Sequence, residues 1–183
     1  SADARLTGAV SGVSGVRYAL PVLEEKALVR YRDKQYIATV KGVGDGFARL
    51  SGLDTMITAG SMTLEREEED LAVIGQGVAY FLSVNPADML QPLVLYAPRR
   101  TGKKILQPED YAEAFNRMAV FPSGIFSIQQ DFDSRYILVP LRFAARLFER
   151  DAREATGIEI RVHPGTDAEE VAEAQAEAEA LEE

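Results

Sequence analysis

The sequence predicts an α+β fold in two subdomains. Three observations carry that reading. Runs of alternating or continuous apolar residues that read as strands recur along most of the chain, and short amphipathic helical stretches separate them. A helix and hairpin near the N-terminal end are matched by a strand and helix near the C-terminal end, with the strands and helices of residues 66–154 inserted between. The 183 residues suffice for one ordinary domain or two small subdomains sharing a core.

The elements follow in order. "DARLTGAVSGVSGV" is a weak helix that stops near Gly12 or Gly15, glycine being a natural helix terminator. "KALVRYRDKQYIATVKGV" reads as a β-hairpin: Ala27, Val29 and Tyr31 alternate with polar neighbours, "RDK" turns, and Tyr36, Ala38 and Val40 alternate on the return. Pro21 belongs at a strand edge or bulge, where its missing N–H costs little. "FARLSGLDTMITAG" gives a short helical turn and a returning strand. The charge run "LEREEEDL" reads as a solvated loop joining the two subdomains. "LAVIGQGVAYFLSV" passes from a buried strand, Leu71 to Ile74, into a helix with Val78, Phe81 and Leu82 on one face.

After the breaker "NPAD", "PLVLYAP" is a strand, and "RRTGKKILQPED" is a long turn with Lys103 and Lys104 as surface charges. "MAVFPSGIFSI" and "RYILVPL" are the next two strands, read as a hairpin whose acidic connection carries Asp131 and Asp133. "LRFAARLFERDA" is an amphipathic helix with Phe143, Leu147 and Phe148 inward and its arginines outward. "TGIEIRVHPG" alternates as a strand with Ile158, Ile160 and Val162 on one face, ending near His163. The last segment is a helix opened by a capping box of Thr166 and Glu169, with a thin stripe of Val171, Ala174, Ala178 and Leu181.

Composition narrows the function classes. Acidic residues outnumber basic ones 29 to 20, a net charge of −9 that disfavours nucleic acid as a partner. No apolar run approaches the roughly 20 residues of a membrane helix, and no signal-peptide pattern is read at the start. Without cysteine there is no disulfide framework, thiol catalysis or cysteine zinc site. A catalytic triad would have to use the single histidine, His163, and no nucleophile elbow accompanies it. "GVGDGF" lacks both the GxGxxG spacing and the Lys-Ser/Thr of a phosphate loop, so it reads as a strand exit. Nothing in the residues calls for a metal or a cofactor.

Five stretches, taken in order, resemble a known family: "PVLEEKALVRYRDKQYIATVKGV", "GLDTMITAG", "LAVIGQGVAYFLSV", "FNRMAVFPSGIFSIQQDFDSRYILVPL" and "IEIRVHPGTDAEEV". The series is similar to the periplasmic core domain of ABC-transporter permeases of the MacB/FtsX superfamily. Within that group it resembles most the lipoprotein-releasing, LolC/LolE-type permeases of Bacteroidetes. The resemblance implies a porter-like α/β subdomain, residues 1–65 and 155–183, with an inserted mostly-β subdomain, residues 66–154. It implies that the family's chain continues with a further strand before the second membrane helix. It also implies a non-enzymatic domain in the periplasm, part of a permease of the cell inner membrane that is a dimer in the full transporter. The partners implied are a cytoplasmic ATPase subunit, a periplasmic carrier or adaptor protein, and lipoprotein or hydrophobic cargo.

On this reading the connection between Ile128 and Arg135 is the partner-binding site. Phe126, Ile128 and Phe132 supply apolar anchors, and Gln129 and Asp131 form the polar rim. Two alternatives stay open. Asp131 and Asp133 are spaced to converge if the segment is a strand, as a carboxylate-dependent hydrolase requires. An apolar cleft between the subdomains would instead take an acyl chain or another hydrophobic ligand.

Overall fold

The computed structural model describes residues 8, 10–85, 87–88, 90–100, 111–151, 154–169 and 171–173. Lys103, Lys104 and three positions of the last apolar stripe, Ala174, Ala178 and Leu181, lie outside them.

The first two strands are the expected hairpin: β1 (Val16–Tyr31) and β2 (Lys34–Val43) pair antiparallel from Val22↔Val43 to Tyr31↔Lys34, turning at Arg32 and Asp33. β1 extends further back than its alternating pattern suggests. Its Val16–Val22 portion pairs with β9 (Gly157–Val162), and Pro21 lies where no β2 residue pairs with β1, the edge position expected for it. After β2, the residues Gly44 to Gly46 exit into α1 (Phe47–Ser51), a 3-10 turn (Leu53–Met56) and β3 (Ile57–Gly60).

The acidic run is not a loop. It forms β4 (Glu65–Arg66) and the start of β5 (Glu69–Gly75), joined by Glu67 and Glu68, both at positive φ (49° and 69°). A tight hairpin of this kind ordinarily uses Asn-Gly or Asp-Gly, so Glu-Glu gave no sequence signal. α2 (Gln76–Leu82) then buries Val78, Ala79 and Leu82. Phe81, expected on that inner face, is 54% exposed and stacks on Tyr36, with ring centroids 5.1 Å apart.

β6 (Leu93–Pro98), the short helix α3 (Tyr111–Ala114) and β7 (Phe115–Phe126) follow, then the one-turn helix α4 (Gln130–Asp133), β8 (Tyr136–Pro140) and α5 (Leu141–Leu147). β7 and β8 do not form the expected hairpin. β5 lies between them, parallel to β7 and antiparallel to β8. β8 in turn pairs parallel to β2. The succession β7-β6-β1-β2-β8-β5 therefore returns to β7 and closes a barrel, with β3 attached to β7, β4 to β5 and β9 to β1. Closure removes the open edges that those strands would otherwise expose. The sheet runs across the division expected at residues 65/66.

Two cores result. Inside the barrel lie Val29, Val40, Ile74, Leu95, Ile137 and Val139, with Val78 and Leu82 of α2 and Phe143 and Leu147 of α5 packed into the same cluster. The predicted inward stripe of α5 is observed, with Phe143, Leu147 and Phe148 all at 2% exposure or less. Its Arg142 and Arg146 face out and grip Asp70 at 2.8 and 2.5 Å. A second cluster forms outside the barrel, where Val43, Val73, Phe126 and Leu138 are covered by Phe47 and Leu53. At the C-terminal end the helix cap is Asp167 rather than Thr166: Asp167 Oδ1 accepts the Glu169 N–H at 2.9 Å. His163 leaves β9 in the expected turn, its N–H donated to the Gly15 carbonyl at 2.9 Å.

Candidate functional site

The β7–β8 connection is a built corner. The carboxylate of Asp133, 7% exposed, accepts the Ser127 hydroxyl at 2.9 Å and the Ile128 N–H at 2.8 Å. The corner sits hard against the β5–α2 junction, where a Cβ on Gly75 would fall on the Asp133 backbone. Phe132 stacks on Tyr136, centroids 4.2 Å apart, and tilts against Phe126 at 5.7 Å. Asp131 is exposed on the outer side.

This geometry decides between the readings of the two aspartates. Residues two apart in a helical turn point roughly 200° apart, not together. Asp133 is occupied as the internal tie of the corner, and Asp131 faces water, so the pair does not converge on a substrate. Among the described residues, no group of three or more His, Asp or Glu side chains is placed to hold a metal ion.

The predicted anchors separate in the same way. Phe126 is wholly buried at 0% exposure, in the outer core, because the last residues of β7 are covered on both faces. It presents no surface to a partner, which corrects its reading as an anchor. Ile128 is 45% exposed, Gln129 and Asp131 are exposed, and Phe132 is half-buried.

What Ile128, Gln129 and Phe132 do share is one wall of a cleft of about 370 Å³. Its floor is Leu138 with Phe47 and Leu53, and its opposite wall is Met56, itself 45% exposed. Glu159 and Arg161 of β9 close one end. A backbone bond from Ser127 N–H to the Met56 carbonyl, 2.9 Å, ties the two walls together. The opposite wall and the charged end come from segments far away in sequence, and sequence reasoning missed all of them.

Next to this cleft lies a buried ammonium group. Lys41 faces outward from β2, yet its side chain is only 7% exposed. Its Nζ lies 2.9 Å from Glu24, its direct partner across the β1–β2 ladder, and 2.5 Å from Glu159 on β9. The rings of Phe47 and Tyr136 flank it at 5.6 and 5.7 Å. Burial works against the ammonium, but hydrogen bonds and charge from Glu159 and Glu24 outweigh it and hold the Lys41 pKa above its ordinary value. Burial, reinforced by the Glu24 charge, likewise pushes the Tyr136 hydroxyl up. A second hollow of about 390 Å³ over Lys41 shares Glu159 with the cleft.

No family model and no curated protein matches the chain. Solved structures do. The extracellular domain of YknZ, a noncanonic ABC-type transporter from Gram-positive bacteria, matches with a TM-score of 0.58 at 14% identity, over 97% of this chain and 80% of that one. The periplasmic region of MacB from Actinobacillus actinomycetemcomitans matches with a TM-score of 0.56 at 12% identity, over 97% and 72%. A domain assigned to a permease protein of Porphyromonas gingivalis matches with a TM-score of 0.50 at 17% identity, over 97% and 69%. The chain therefore shares the mixed strand-and-helix fold of the YknZ extracellular domain and the MacB periplasmic region, here built on a closed barrel.

Proposed function

We propose that this chain is the extracytoplasmic domain of an ABC-transporter permease, a non-enzymatic coupling and interaction module. The observation that carries the reading is the fold shared with two such domains over 97% of the chain. Among the described residues, no helix is long and apolar enough to cross a membrane, which suits a module held outside the bilayer by other segments. On this proposal the permease lies in the cell inner membrane as a dimer, with this domain in the periplasm. A cytoplasmic ATPase subunit supplies the energy, and a periplasmic carrier or adaptor protein receives lipoprotein or hydrophobic cargo, as in LolC/LolE-type permeases. The division into a porter-like part, residues 1–65 and 155–183, and an insert, residues 66–154, belongs to the same proposal. The return of β9 onto the first residues of β1 supports it.

The partner surface proposed is the rim of the cleft: Ile128, Gln129, Asp131 and the exposed edge of Phe132, with Met56 opposite. Exposed apolar side chains beside a polar rim are the usual make-up of a small docking patch. The gene itself provides the test. Membrane-spanning segments encoded on both sides of residues 1–183, with an ATPase subunit encoded alongside, are the expected result. An uninterrupted gene for a protein without membrane segments would overturn the proposal.

A further inference from the structure

We propose that the cleft between α1, the Leu53–Met56 turn and the β7–β8 corner binds a single-chain amphiphile with a monoanionic, carboxylate head group. The tail lies on Phe47, Leu53 and Leu138 between the exposed Met56 and Ile128, and the head meets Arg161. This deepens the cargo side of the transporter reading and rests on that reading only for its physiological meaning.

Three features argue for this occupant. The volume, about 370 Å³, lies in the range of small-molecule sites, and apart from Ser51 and Gln129 the floor and flanking walls present apolar side chains. The cleft is set before any ligand arrives, because the Ser127–Met56 backbone bond fixes one wall against the other. The charges at its end are asymmetric. Glu159 is already held by Lys41, whereas Arg161 makes no ion pair with a described carboxylate. One Arg161 Nη1–H is donated to the Ser51 carbonyl, which steadies the guanidinium at the mouth and leaves further N–H donors for a head group. A guanidinium suits a carboxylate, and the nearby Glu159 disfavours a doubly charged phosphate. The unbranched Met56 flank adapts to an alkyl tail better than to a rigid ring system.

The test is calorimetric titration of the 183-residue chain with laurate, below its micellar concentration, against dodecyltrimethylammonium, which has the same tail length and the opposite charge. Saturable one-to-one binding of laurate is expected, at least about tenfold tighter than the cation, as one well-placed charged contact supplies. Arg161→Gln should remove most of that preference. On the unmodified protein, contacts between laurate methylene protons and the Met56 and Ile128 methyl groups should appear by NMR, so the answer does not depend on a variant folding. Equal affinity for both amphiphiles, no saturable binding, or an Arg161→Gln protein with unchanged preference would overturn the inference. Failure here leaves the permease reading standing, since that is tested by the neighbouring gene segments.

Discussion

Replacing Lys41 by methionine removes one charge from the joint between β1, β2 and β9 while keeping most of the stem that packs near Phe47 and Tyr136. The two carboxylates left behind, Glu24 and Glu159, keep 30% and 31% of their side-chain surface in water. Stripping the partner from a fully buried ion pair costs about 3–5 kcal/mol. Partial exposure lets these carboxylates rehydrate, which reduces the expected cost to roughly 2–3 kcal/mol. In a domain of this size each kcal/mol lowers the melting temperature by about 2–4 °C, so Lys41→Met should melt roughly 4–12 °C below the parent.

A pH series separates this ion pair from mere packing. The folded Lys41 pKa is raised above its ordinary 10.5. On raising the pH the unfolded chain therefore releases its proton first. Stability from the cluster is fully present below the unfolded pKa and is lost as pH rises through the folded one. The raised Tyr136 pKa acts with the same sign, from its ordinary 10.0 upward. Urea unfolding followed by circular dichroism should show the parent losing stability above about pH 10. Lys41→Met should lose less over that window, retaining only the Tyr136 part, which Tyr136→Phe removes. A Lys41→Met protein within about 0.5 kcal/mol of the parent at neutral pH would refute the reasoning, as would parent stability flat from about pH 9.5 to 11.5.

Other substitutions test the corner and the cleft wall. Asp133→Ala deletes the acceptor for Ser127 and Ile128 and should cost about 2–3 kcal/mol by urea unfolding, with Asp133→Asn recovering part of it. Gly75→Ala drives a methyl into the Asp133 backbone and should cost at least about 2 kcal/mol, although alanine is ordinarily tolerated at an extended φ of −60°. Ile128→Glu alters a 45% exposed side chain and should leave stability within about 0.5 kcal/mol; if the proposed partner surface is right, it abolishes capture of a carrier or adaptor protein by pull-down. Unchanged capture would remove the corner from the partner surface.

Sequence patterning worked where contacts are local and failed where they are not. The β1–β2 hairpin was legible because its inward residues alternate and its turn is two residues long. The inward face of α5 was legible because Phe143 and Leu147 sit one turn apart. Closure of the barrel was not. β5 enters between β7 and β8 from about fifty residues upstream, and a strand buried on both faces carries no mark of which neighbour it will take. Phe81 was misplaced because Ala79, a weak hydrophobic signal, occupies the inner position beside Val78 and Leu82. For the site, the corner residues Ile128 and Phe132 were visible as apolar residues in a polar connection. Met56, in the 3-10 turn, and Arg161, on β9, join them only through contacts distant in sequence, and a buried lysine such as Lys41 reads in sequence like any exposed one.

The same pairing makes β9 the element on which the cleft depends. β1 is continuous from Val16 to Tyr31, so the barrel and the β9 pair share one strand of about 50 Å. Glu159 and Arg161 lie two apart on β9, and both line the cleft. One is fastened to β2 through Lys41, the other to the end of α1 through the Ser51 carbonyl. Beyond its ladder with β1, these two contacts tether β9, whose residues are otherwise only half-buried or exposed. Glu159→Gln replaces a charged tether by a neutral one, a loss of about 1 kcal/mol. Local opening free energies appear directly in amide exchange. The amides of Gly157–Val162 should therefore exchange about fivefold faster in Glu159→Gln, while those of β5, on the far side of the barrel wall, stay unchanged. Uniform acceleration across both strands would mean that Glu159 supports the whole fold rather than the position of β9. No acceleration in β9 would mean that the Lys41 joint does not hold the strand that forms the charged end of the cleft.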